Sequence, residues 1–359
     1  MIDGKAQAFP FLEDGKMKMK AAFLTGLKTI EIGEAEIPKI KENEVLIKVR
    51  AVGVCGSDVH YFEDGHIGAT QVIYPHILGH EAAGEVVETG SAVKDLAVGD
   101  RVCMEPGIPC GKCEYCRSGR YNLCPDVIFR ANPPDGGFLC EYAAMPADMC
   151  FKLPENMSFL EGALMEPFSV GLHSARLGNV CHPKTAAILG SGCIGLMTLQ
   201  ACRYLGASKV VVTDIYQKRL DMALELGADY VVDASETKDV PAAVKELIGE
   251  ADVVFETAGS PVTTYQTSFI VKRGGCIVIT GNPLGDIKFN FRNMTLREAE
   301  LKAVWRYRNT YPTALQAVAD GKLDLSKMKV DTFGFADTQK AFDTALNEKE
   351  TTIKAAVLL

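Results

Sequence analysis

Features that would direct this chain to a membrane, to nucleic acid or to secretion are missing from its sequence. No run of about 18 apolar residues occurs, which excludes a membrane-spanning helix of the usual length. Positive charge is not in excess, because 46 acidic residues outnumber 38 basic ones and the net charge is −8, so a broad nucleic-acid surface is not expected. The first 20 residues carry Asp3, Glu13 and Asp14 and lack the apolar segment of a secretory signal. The expected location is the cytoplasm.

What is present is the composition of a two-domain globular enzyme. The 359 residues are 47% hydrophobic and 23% charged, which is ordinary for a globular protein. A chain of this length is too long for one compact core. Residues 1–16 are polar and contain glycine, so we interpret them as an N-terminal extension. The fold is expected to begin with the strand-like residues 20–24 that follow Met17.

The chain has twelve cysteines, which is many for a cytoplasmic protein, where disulfides are rare. Four of them lie within 15 residues, with the spacing Cys110-x₂-Cys113-x₂-Cys116-x₇-Cys124. This spacing offers four thiolates to a closed, tetrahedral zinc site. Iron–sulfur cluster motifs also begin with two such gaps. The last gap here is longer and no second cysteine set follows, so a structural zinc ion is preferred.

From about residue 168, short apolar strands alternate with amphipathic stretches. Strands are predicted at 186–189, 209–213, 230–232, 252–256, 276–280 and 301–304, and helices at 193–205, 216–226, 240–248 and 262–271. This alternation is typical of a parallel sheet covered by helices on both faces. The apolar strand 354–359 at the end of the chain is expected to fold back onto the Val-rich first module. The dinucleotide-type domain would then be inserted in a discontinuous second domain.

A dinucleotide site is predicted where strand 186–189 meets its helix. The glycines of Gly190-x-Gly192-x-x-Gly195 allow a tight turn and bring a pyrophosphate close to the helix N-terminus. Asp214 ends the next strand, where an acid binds the ribose hydroxyls and opposes a 2′-phosphate. NAD is therefore favoured over NADP. Arg219 could stack on the adenine, or it could belong to a solvated helix face.

A second set of metal-ligand residues is dispersed along the chain. It consists of Cys55, His80, Glu81 and Glu166. A thiolate, an imidazole and carboxylates can hold zinc with one position open for water or substrate. A cysteine or a histidine that stands alone is more often a core residue, so the spacing by itself leaves both interpretations open.

Together these motifs resemble the medium-chain zinc alcohol dehydrogenase superfamily and, within it, the sorbitol/xylitol (polyol) dehydrogenases, over residues 19–359. Gly79-His-Glu-Ala-Ala-Gly84-x-Val86 is similar to the superfamily's zinc signature. Three further motifs are similar to those of the polyol branch: Cys55-Gly-Ser-Asp-Val-His-Tyr61, Glu161-Gly-Ala-Leu-Met-Glu166-Pro-Phe-Ser-Val-Gly171 and Trp305-Arg-Tyr-Arg-Asn309-Thr. The resemblance implies an α/β protein, usually a homotetramer. A Rossmann domain (168–302) would be inserted in a GroES-like β-rich catalytic domain (17–167 and 303–359).

The resemblance also implies roles for individual residues. Cys55, His80 and Glu166 would hold the catalytic zinc, with Glu81 as a ligand or a close neighbour. Asp58 would orient His80, and Ser57 would pass the substrate proton towards the nicotinamide ribose, with His60 at the outward end. The implied substrate contacts are Tyr61, Phe129, Arg306 and Tyr307. The implied cofactor contacts, besides the glycine turn, are Ile194, Thr280, Gly281, Asn282 and Val304.

The predicted activity is the oxidation of a secondary alcohol of sorbitol, xylitol or a stereoisomer to a ketose, with hydride transfer to NAD. Ethanol-type relatives carry cysteine where Glu166 stands, which favours the polyol branch. A threonine or simple alcohol dehydrogenase is the alternative, and a non-catalytic NAD-binding protein is a remote one. The expected ligands are two zinc ions per subunit, NAD and a small polyol or ketose, with no nucleic-acid or membrane partner.

Two features depart from the polyol branch. Animal sorbitol dehydrogenases lack the complete cysteine set that is present here, so the chain is more similar to microbial members. Asn132 stands where many relatives have threonine near the substrate, which leaves the identity of the sugar alcohol open.

Overall fold

The computed structural model describes residues 17–282 and 285–359, and the predicted extension, 1–16, lies outside them. The helices are α1 Gly56–Asp64, α2 Glu114–Arg117, α3 Phe159–Ala163, α4 Met165–Leu177, α5 Cys193–Tyr204, α6 Gln217–Glu225, α7 Val240–Ile248, α8 Pro261–Ile270, α9 Phe291–Arg297, α10 Tyr311–Ala319 and α11 Thr338–Asn347. The strands are β1 Lys18–Gly26, β2 Thr29–Glu36, β3 Glu44–Val54, β4 His66–Ile67, β5 Thr70–Gln71, β6 His76–Ile77, β7 Glu81–Thr89, β8 Arg101–Met104, β9 Gly107–Ile108, β10 Ile128–Phe129, β11 Tyr142–Pro146, β12 Cys150–Lys152, β13 Thr185–Leu189, β14 Lys209–Asp214, β15 Tyr230–Asp233, β16 Ala251–Glu256, β17 Val271–Ile279, β18 Glu300–Ala303, β19 Asp331–Gly334 and β20 Ala355–Leu358.

Six parallel strands form one sheet, in the order β15-β14-β13-β16-β17-β18. Successive residues of β13 point to opposite faces: Ile188 joins one buried cluster, whereas Ala187 and Leu189 join another. Both faces are therefore covered, which is why the central strands are apolar throughout. Counted from β13, the strand order is 3-2-1-4-5-6, that of a doubly wound Rossmann sheet. The predicted α/β fold is confirmed.

The β-rich part is built around a seven-stranded sheet in the order β12-β8-β7-β3-β20-β19, with β11 also paired to β3. The strand β20 pairs antiparallel with β3, so the end of the chain returns to the first module as predicted. The strand β3 leads directly into Cys55, and the neighbouring strand β7 begins at Glu81. This sheet therefore brings together residues that are far apart in sequence.

Helix α4 connects the two parts. Its Phe168 and Leu172 lie in the same buried cluster as Leu196 of α5 and Tyr311 of α10. The predicted boundary at 167/168 falls inside α4, and the boundary at 302/303 falls inside β18. The division into domains at these residues stays a prediction. No helix among the described residues is long and apolar enough to cross a membrane.

Candidate active site

Three predicted zinc-binding side chains converge at the ends of β3 and β7. Cys55 is the N-cap residue of α1, and His80 and Glu81 stand at the start of β7. One donor atom of each residue lies within 4.8 Å of the donor atoms of the other two. His80 and Glu81 are buried and Cys55 is half-buried. A thiolate, an imidazole and a carboxylate at this spacing fit a zinc ion that keeps an open coordination position.

Asp58 holds two of these residues in place. Its carboxylate accepts hydrogen bonds from the backbone N–H groups of Cys55 and Gly79, both at 3.1 Å. The Nδ1 atom of His80 lies 3.4 Å from Oδ1 of Asp58, so Nε2 is the ring nitrogen available to a metal. Burial alone would raise the pKa of Asp58, but the charge and hydrogen bond of His80 outweigh it and lower that pKa. Asp58 therefore remains a carboxylate that orients the imidazole.

A buried ion pair connects Glu81 to Lys354, the residue before β20. The Nζ atom of Lys354 lies 2.6 Å from Oε1 of Glu81 and also donates to the carbonyl of Val54 at 2.9 Å. Both side chains are almost fully buried, at 3% and 1% exposure. Burial would lower the pKa of Lys354, but the charge of Glu81 outweighs it and raises that pKa. Gly53 lies beside Glu81 in the register, where a Cβ would collide with the carboxylate.

Glu166 occupies the first turn of α4 and is buried. It borders the same cavity as Cys55 and His80 but is not in the group of mutually close donors. Burial raises the pKa of Glu166 to about 7, and the negative charge of Glu81 also raises this pKa. The positive charge of His80 lowers it. Of the two predicted carboxylates, Glu81 is the one grouped with the thiol and the imidazole.

The four clustered cysteines form a second donor set around α2. The sulfur atoms of Cys110, Cys113, Cys116 and Cys124 all lie within 4.8 Å of one another. The Cys113–Cys116 and Cys110–Cys116 sulfur distances are 3.4 Å and 4.0 Å. Tetrahedral zinc with bonds of about 2.3 Å requires about 3.8 Å between sulfur atoms. Backbone N–H groups of Lys112 and Cys113 lower the pKa of Cys110 to about 7, so a thiolate is available near neutral pH.

The predicted dinucleotide turn connects β13 to α5. Gly190 has a φ of +105°, Gly192 is the N-cap residue of α5, and a Cβ on Gly195 would collide with the carbonyl of Gly190. Asp214, at the end of β14, accepts hydrogen bonds from the backbone N–H groups of Ser191 at 2.6 Å and Ile215 at 2.8 Å. These bonds hold the carboxylate beside the turn, where the ribose of a dinucleotide would lie.

Of the other predicted cofactor residues, Arg219 lies beside this turn, and Thr280, Gly281 and Val304 follow the carboxyl ends of β17 and β18. A Cβ on Gly192 would lie 3.8 Å from Nη1 of Arg219, and the Arg219 guanidinium stacks on the Tyr216 ring, 5.0 Å from its centre. Backbone N–H groups of Thr280 and Gly281 donate to the carbonyl of Glu256, at 2.8 Å and 2.9 Å. The N–H group of Val304 donates to the carbonyl of Ile279 at 2.9 Å.

One cavity of about 300 Å³ joins the predicted sites. Metal-donor residues border it together with Ile194 and Asn282 from the cofactor side. The predicted residues that line it are Cys55, Ser57, Asp58, Tyr61, His80, Phe129, Asn132, Glu166, Ile194, Asn282 and Arg306. A larger groove of about 560 Å³ between α5, α6 and the chain after α10 contains neither donor set. The smaller cavity is therefore the candidate active site.

The predicted substrate contacts fall in two places. The hydroxyl of Tyr61 donates to Oδ1 of Asn132 at 2.7 Å. The Arg306 guanidinium lies over the Phe129 ring, 4.1 Å from its centre, and its buried Nη1 has no hydrogen-bond partner among the described residues. Tyr307 is buried behind Arg306, where it lines a smaller cavity with Glu105 and Tyr121. The structure therefore brings Arg306, but not Tyr307, to the wall of the main cavity.

Two family models match the chain: the alcohol dehydrogenase GroES-like domain over residues 41–155 and the zinc-binding dehydrogenase over residues 193–320. The chain is 46% identical to the uncharacterized zinc-type alcohol dehydrogenase-like protein YdjJ of Escherichia coli K12, over 95% of this chain and 99% of that protein. It is 41% identical to the sorbitol dehydrogenase of Bacillus subtilis, over 94% and 97%. A solved oxidoreductase/dehydrogenase of unknown specificity from Escherichia coli is 45% identical, with a TM-score of 0.92 and coverage of 95% and 99%.

The chain belongs to the medium-chain zinc dehydrogenases, in their polyol branch.

As a zinc dehydrogenase, the chain is an oxidoreductase, and both of its donor sets fit the metal of the family. The cavity is also lined by Ile67, Thr70, Arg130, Ala131, Val170 and Trp305, none of which was predicted as a site residue. Two buried charged residues beside the site, Lys354 and Glu105, were not predicted from the sequence either. Lys354 is the one charged residue within the terminal apolar segment, which is a usable signal because an isolated charge beside a buried strand requires a partner. Glu105 is buried after β8 and accepts a hydrogen bond from the Tyr121 hydroxyl at 2.8 Å, and no motif of this zinc dehydrogenase marks it.

Proposed function

We propose that this protein oxidises a secondary hydroxyl of a linear sugar alcohol to a ketose and transfers the hydride to NAD. One observation carries the proposal: a single cavity is bordered by Cys55 and His80 of the donor set, by Ile194 and Asn282, and by Arg306, whose Nη1 has no hydrogen-bond partner among the described residues. The metal, the nicotinamide and the Arg306 guanidinium, as a hydrogen-bond donor to the substrate's neighbouring hydroxyls, would thus contact the same substrate.

The donor geometry supports a revised ligand set for the catalytic zinc. We assign Cys55, His80 and Glu81 to the ion, because their donor atoms are mutually close. Glu166 borders the same cavity as a further acceptor facing the open position. Zinc bound there would polarise the substrate hydroxyl and lower its pKa. The second zinc ion of the subunit would be held by the four clustered cysteines.

The chain's own residues orient the reactants and conduct the proton. Asp58 fixes the His80 ring, and Lys354 balances the charge of Glu81. Ser57 borders the cavity, and His60 lies one helical turn further along α1 with its side chain 44% exposed. The substrate proton would leave through Ser57 towards His60 and solvent. Asp214 beside the glycine turn supports NAD as the hydride acceptor, and the homotetramer and the cytoplasmic location remain predictions of the resemblance.

The test is a substrate panel scored by the reduction of NAD, with sorbitol, xylitol and their stereoisomers set against threonine, ethanol and 2-propanol. We expect polyols to be oxidised far more efficiently, because a site that hydrogen-bonds hydroxyls penalises substrates lacking them, by about 10⁴–10⁵ where buried partners go unpaired. A preference for threonine or a simple alcohol over every polyol would overturn the polyol assignment.

The variant Arg306→Ala tests the residue that faces the neighbouring hydroxyls. It should lower kcat/KM for the preferred polyol by at least about 100-fold, or about 2.7 kcal/mol, while zinc content and NAD affinity stay unchanged. The exposed Arg292→Ala of α9 is the matched control and should leave all three quantities unchanged. Retention of the polyol preference by Arg306→Ala would remove this residue from substrate recognition.

A further inference from the structure

The segment 304–310, between β18 and α10, carries Arg306 in an unusual backbone conformation. Arg306 and Asn309 both adopt left-handed conformations, with φ of +54° and +52°. Residues other than glycine seldom adopt this region, and they persist there only when surrounding contacts enforce it. The position of the Arg306 guanidinium in the cavity thus depends on whatever holds this segment.

Much of what holds the segment comes from the cysteine lobe, by which we mean residues 110–124. The Asn122 side chain donates to the carbonyl of Trp305 at 2.8 Å and accepts from Nη1 of Arg308 at 3.0 Å. The Tyr121 hydroxyl accepts from the backbone N–H of Asn309 at 2.8 Å. The side chain of Asn309 also donates to the carbonyl of Gly119 at 3.1 Å.

These contacts hold residues that precede Arg306 in the sequence and residues that follow it. Asn122 holds the residue immediately before it, and Tyr121 and Gly119 hold Asn309, three residues after it. The opposite side is held by Arg176 of α4, whose Nη1 donates to the carbonyl of Asn309 at 2.7 Å. The segment is therefore clamped between α4 and the lobe.

The lobe residues that make these bonds all lie between its third and fourth cysteines. Gly119, Tyr121 and Asn122 follow Cys116 and precede Cys124, whose sulfur atoms belong to one donor set. The Cys124 N–H donates to the carbonyl of Tyr121 at 3.0 Å, so Asn122 sits in a turn closed by a metal-donor residue. A metal ion held by the four sulfur atoms would fix both ends of the stretch that contacts the segment.

We infer that the cysteine lobe positions the substrate-binding arginine, with Asn122 and Tyr121 as the positioning residues. The lobe thus sets substrate affinity as well as stability. This inference rests on the proposed function in so far as Arg306 contacts the substrate. The positional part, that the lobe determines the conformation of segment 304–310, does not require any particular substrate.

The chain offers a direct probe of the segment. Trp305 is the sole tryptophan of the sequence, it is 58% exposed, and the Arg306 guanidinium lies 5.1 Å from the centre of its ring. Its carbonyl is the acceptor for Asn122. Tryptophan emission therefore reports on the segment without substrate, and no second indole contributes.

The experiment compares Asn122→Ala with Ser118→Ala in the full-length, zinc-loaded protein. Ser118 is exposed within the same lobe, and its side chain bonds to Tyr115 and Arg120 inside the lobe. We expect Asn122→Ala to keep its zinc content and NAD affinity, to shift the Trp305 emission, and to raise the polyol KM about tenfold, or about 1.4 kcal/mol, with kcat changed less than about threefold. Ser118→Ala should match the wild type in every measurement.

Unchanged emission and unchanged KM in an Asn122→Ala protein that retains its zinc would overturn the inference. Should Asn122→Ala lose zinc or fail to fold, Tyr121→Phe decides, because it removes only the hydroxyl that accepts from Asn309 and donates to Glu105. Tyr121→Phe should then shift the Trp305 emission and raise the polyol KM. If it does neither, the inference is wrong. If the wild type oxidises no polyol, the proposed function fails, and the emission of these variants still decides the positional part.

Discussion

At the scale of single residues, the candidate active site contains several buried charges that require partners. Asp58 and Glu166 are buried at the cavity wall, and Glu81 is buried beside them, where Lys354 is the buried cation that pairs with it. Removing one partner of a buried ion pair costs about 3–5 kcal/mol, because the remaining charge is left uncompensated. Lys354 is therefore expected to be essential for the stability of the site before any metal binds.

The variant Lys354→Met should lower the free energy of unfolding of the metal-free protein by about 3–5 kcal/mol. Urea denaturation followed by circular dichroism measures this change. The matched control is Lys28→Met, which breaks the exposed 3.0 Å pair with Glu63 and should cost at most about 1 kcal/mol. Equal midpoints for the two variants would show that Lys354 does not stabilise Glu81.

The predicted preference for NAD belongs to the same scale and rests on Asp214. Its carboxylate is held beside the glycine turn by Ser191 and Ile215, so a 2′-phosphate would face a fixed negative charge. Like charges in contact cost several kcal/mol, so NAD should exceed NADP in kcat/KM by at least about 100-fold. Asp214→Ala should narrow this ratio, mainly through weaker NAD binding, whereas Asp221→Ala on the exposed face of α6 should preserve it. Equal kcat/KM for both cofactors in the wild type would contradict the assignment.

At the scale of elements, the sequence predicts the Rossmann half well because its signals are local. Helix α7 occurs at 240–248 as predicted, with the Asp239 side chain accepting from the N–H of Ala242 at 3.0 Å and Pro241 in the first turn. The sequence did not predict α4 or α9, and it misplaced the start of β17. The seven-residue helix α9 is too short to show a periodic pattern, and β17 begins at Val271 rather than 276 because its pairing with β16 shifts register.

The turn between β13 and α5 allows a prediction that separates folding from cofactor binding. Gly195→Ala should destabilise the cofactor-free protein by about 1–3 kcal/mol, because its Cβ has no space beside the Gly190 carbonyl. Gly192→Ala meets only Arg219 at 3.8 Å and should cost less than about 1 kcal/mol. It should nevertheless weaken NAD binding at least about tenfold, since a Cβ there blocks the backbone from the pyrophosphate. Thermal unfolding with and without NAD measures both effects.

Gly26→Ala serves as the control for this pair, because a Cβ at that position meets nothing within 4 Å. It should leave both the unfolding temperature and its shift on NAD addition unchanged. If Gly192→Ala and Gly195→Ala lowered stability equally and bound NAD equally, the two glycines would not have the separate roles that the geometry indicates.

At the scale of the whole molecule, the sequence could indicate candidate metal ligands but not how the distant parts of the chain pack together. The cysteine lobe was predicted because its ligands lie within 15 residues. The grouping of Glu81, and not Glu166, with the Cys55 and His80 donors was not predictable, because it depends on the packing of α4 against β7. The pairing of Glu81 with Lys354 spans 273 residues and exists only because β20 returns to β3. Long-range contacts of this kind carry no local sequence signal.

The two donor sets lead to a prediction about the whole subunit, namely that it binds two zinc ions that can be removed independently. Elemental analysis should give two zinc ions in the wild type and one in Cys110→Ser, because a closed four-sulfur site loses most of its affinity with one ligand removed. The Cys55 donor set should keep its ion, so residual activity should persist. The unfolding temperature of Cys110→Ser should fall by at least about 5 °C, since metal binding contributes directly to folding free energy.

Cys181→Ser, which removes an exposed thiol outside the lobe, should keep both ions and the wild-type unfolding temperature. One zinc ion in the wild type, with Cys110→Ser unchanged in metal content, would mean that the lobe is held together without a metal.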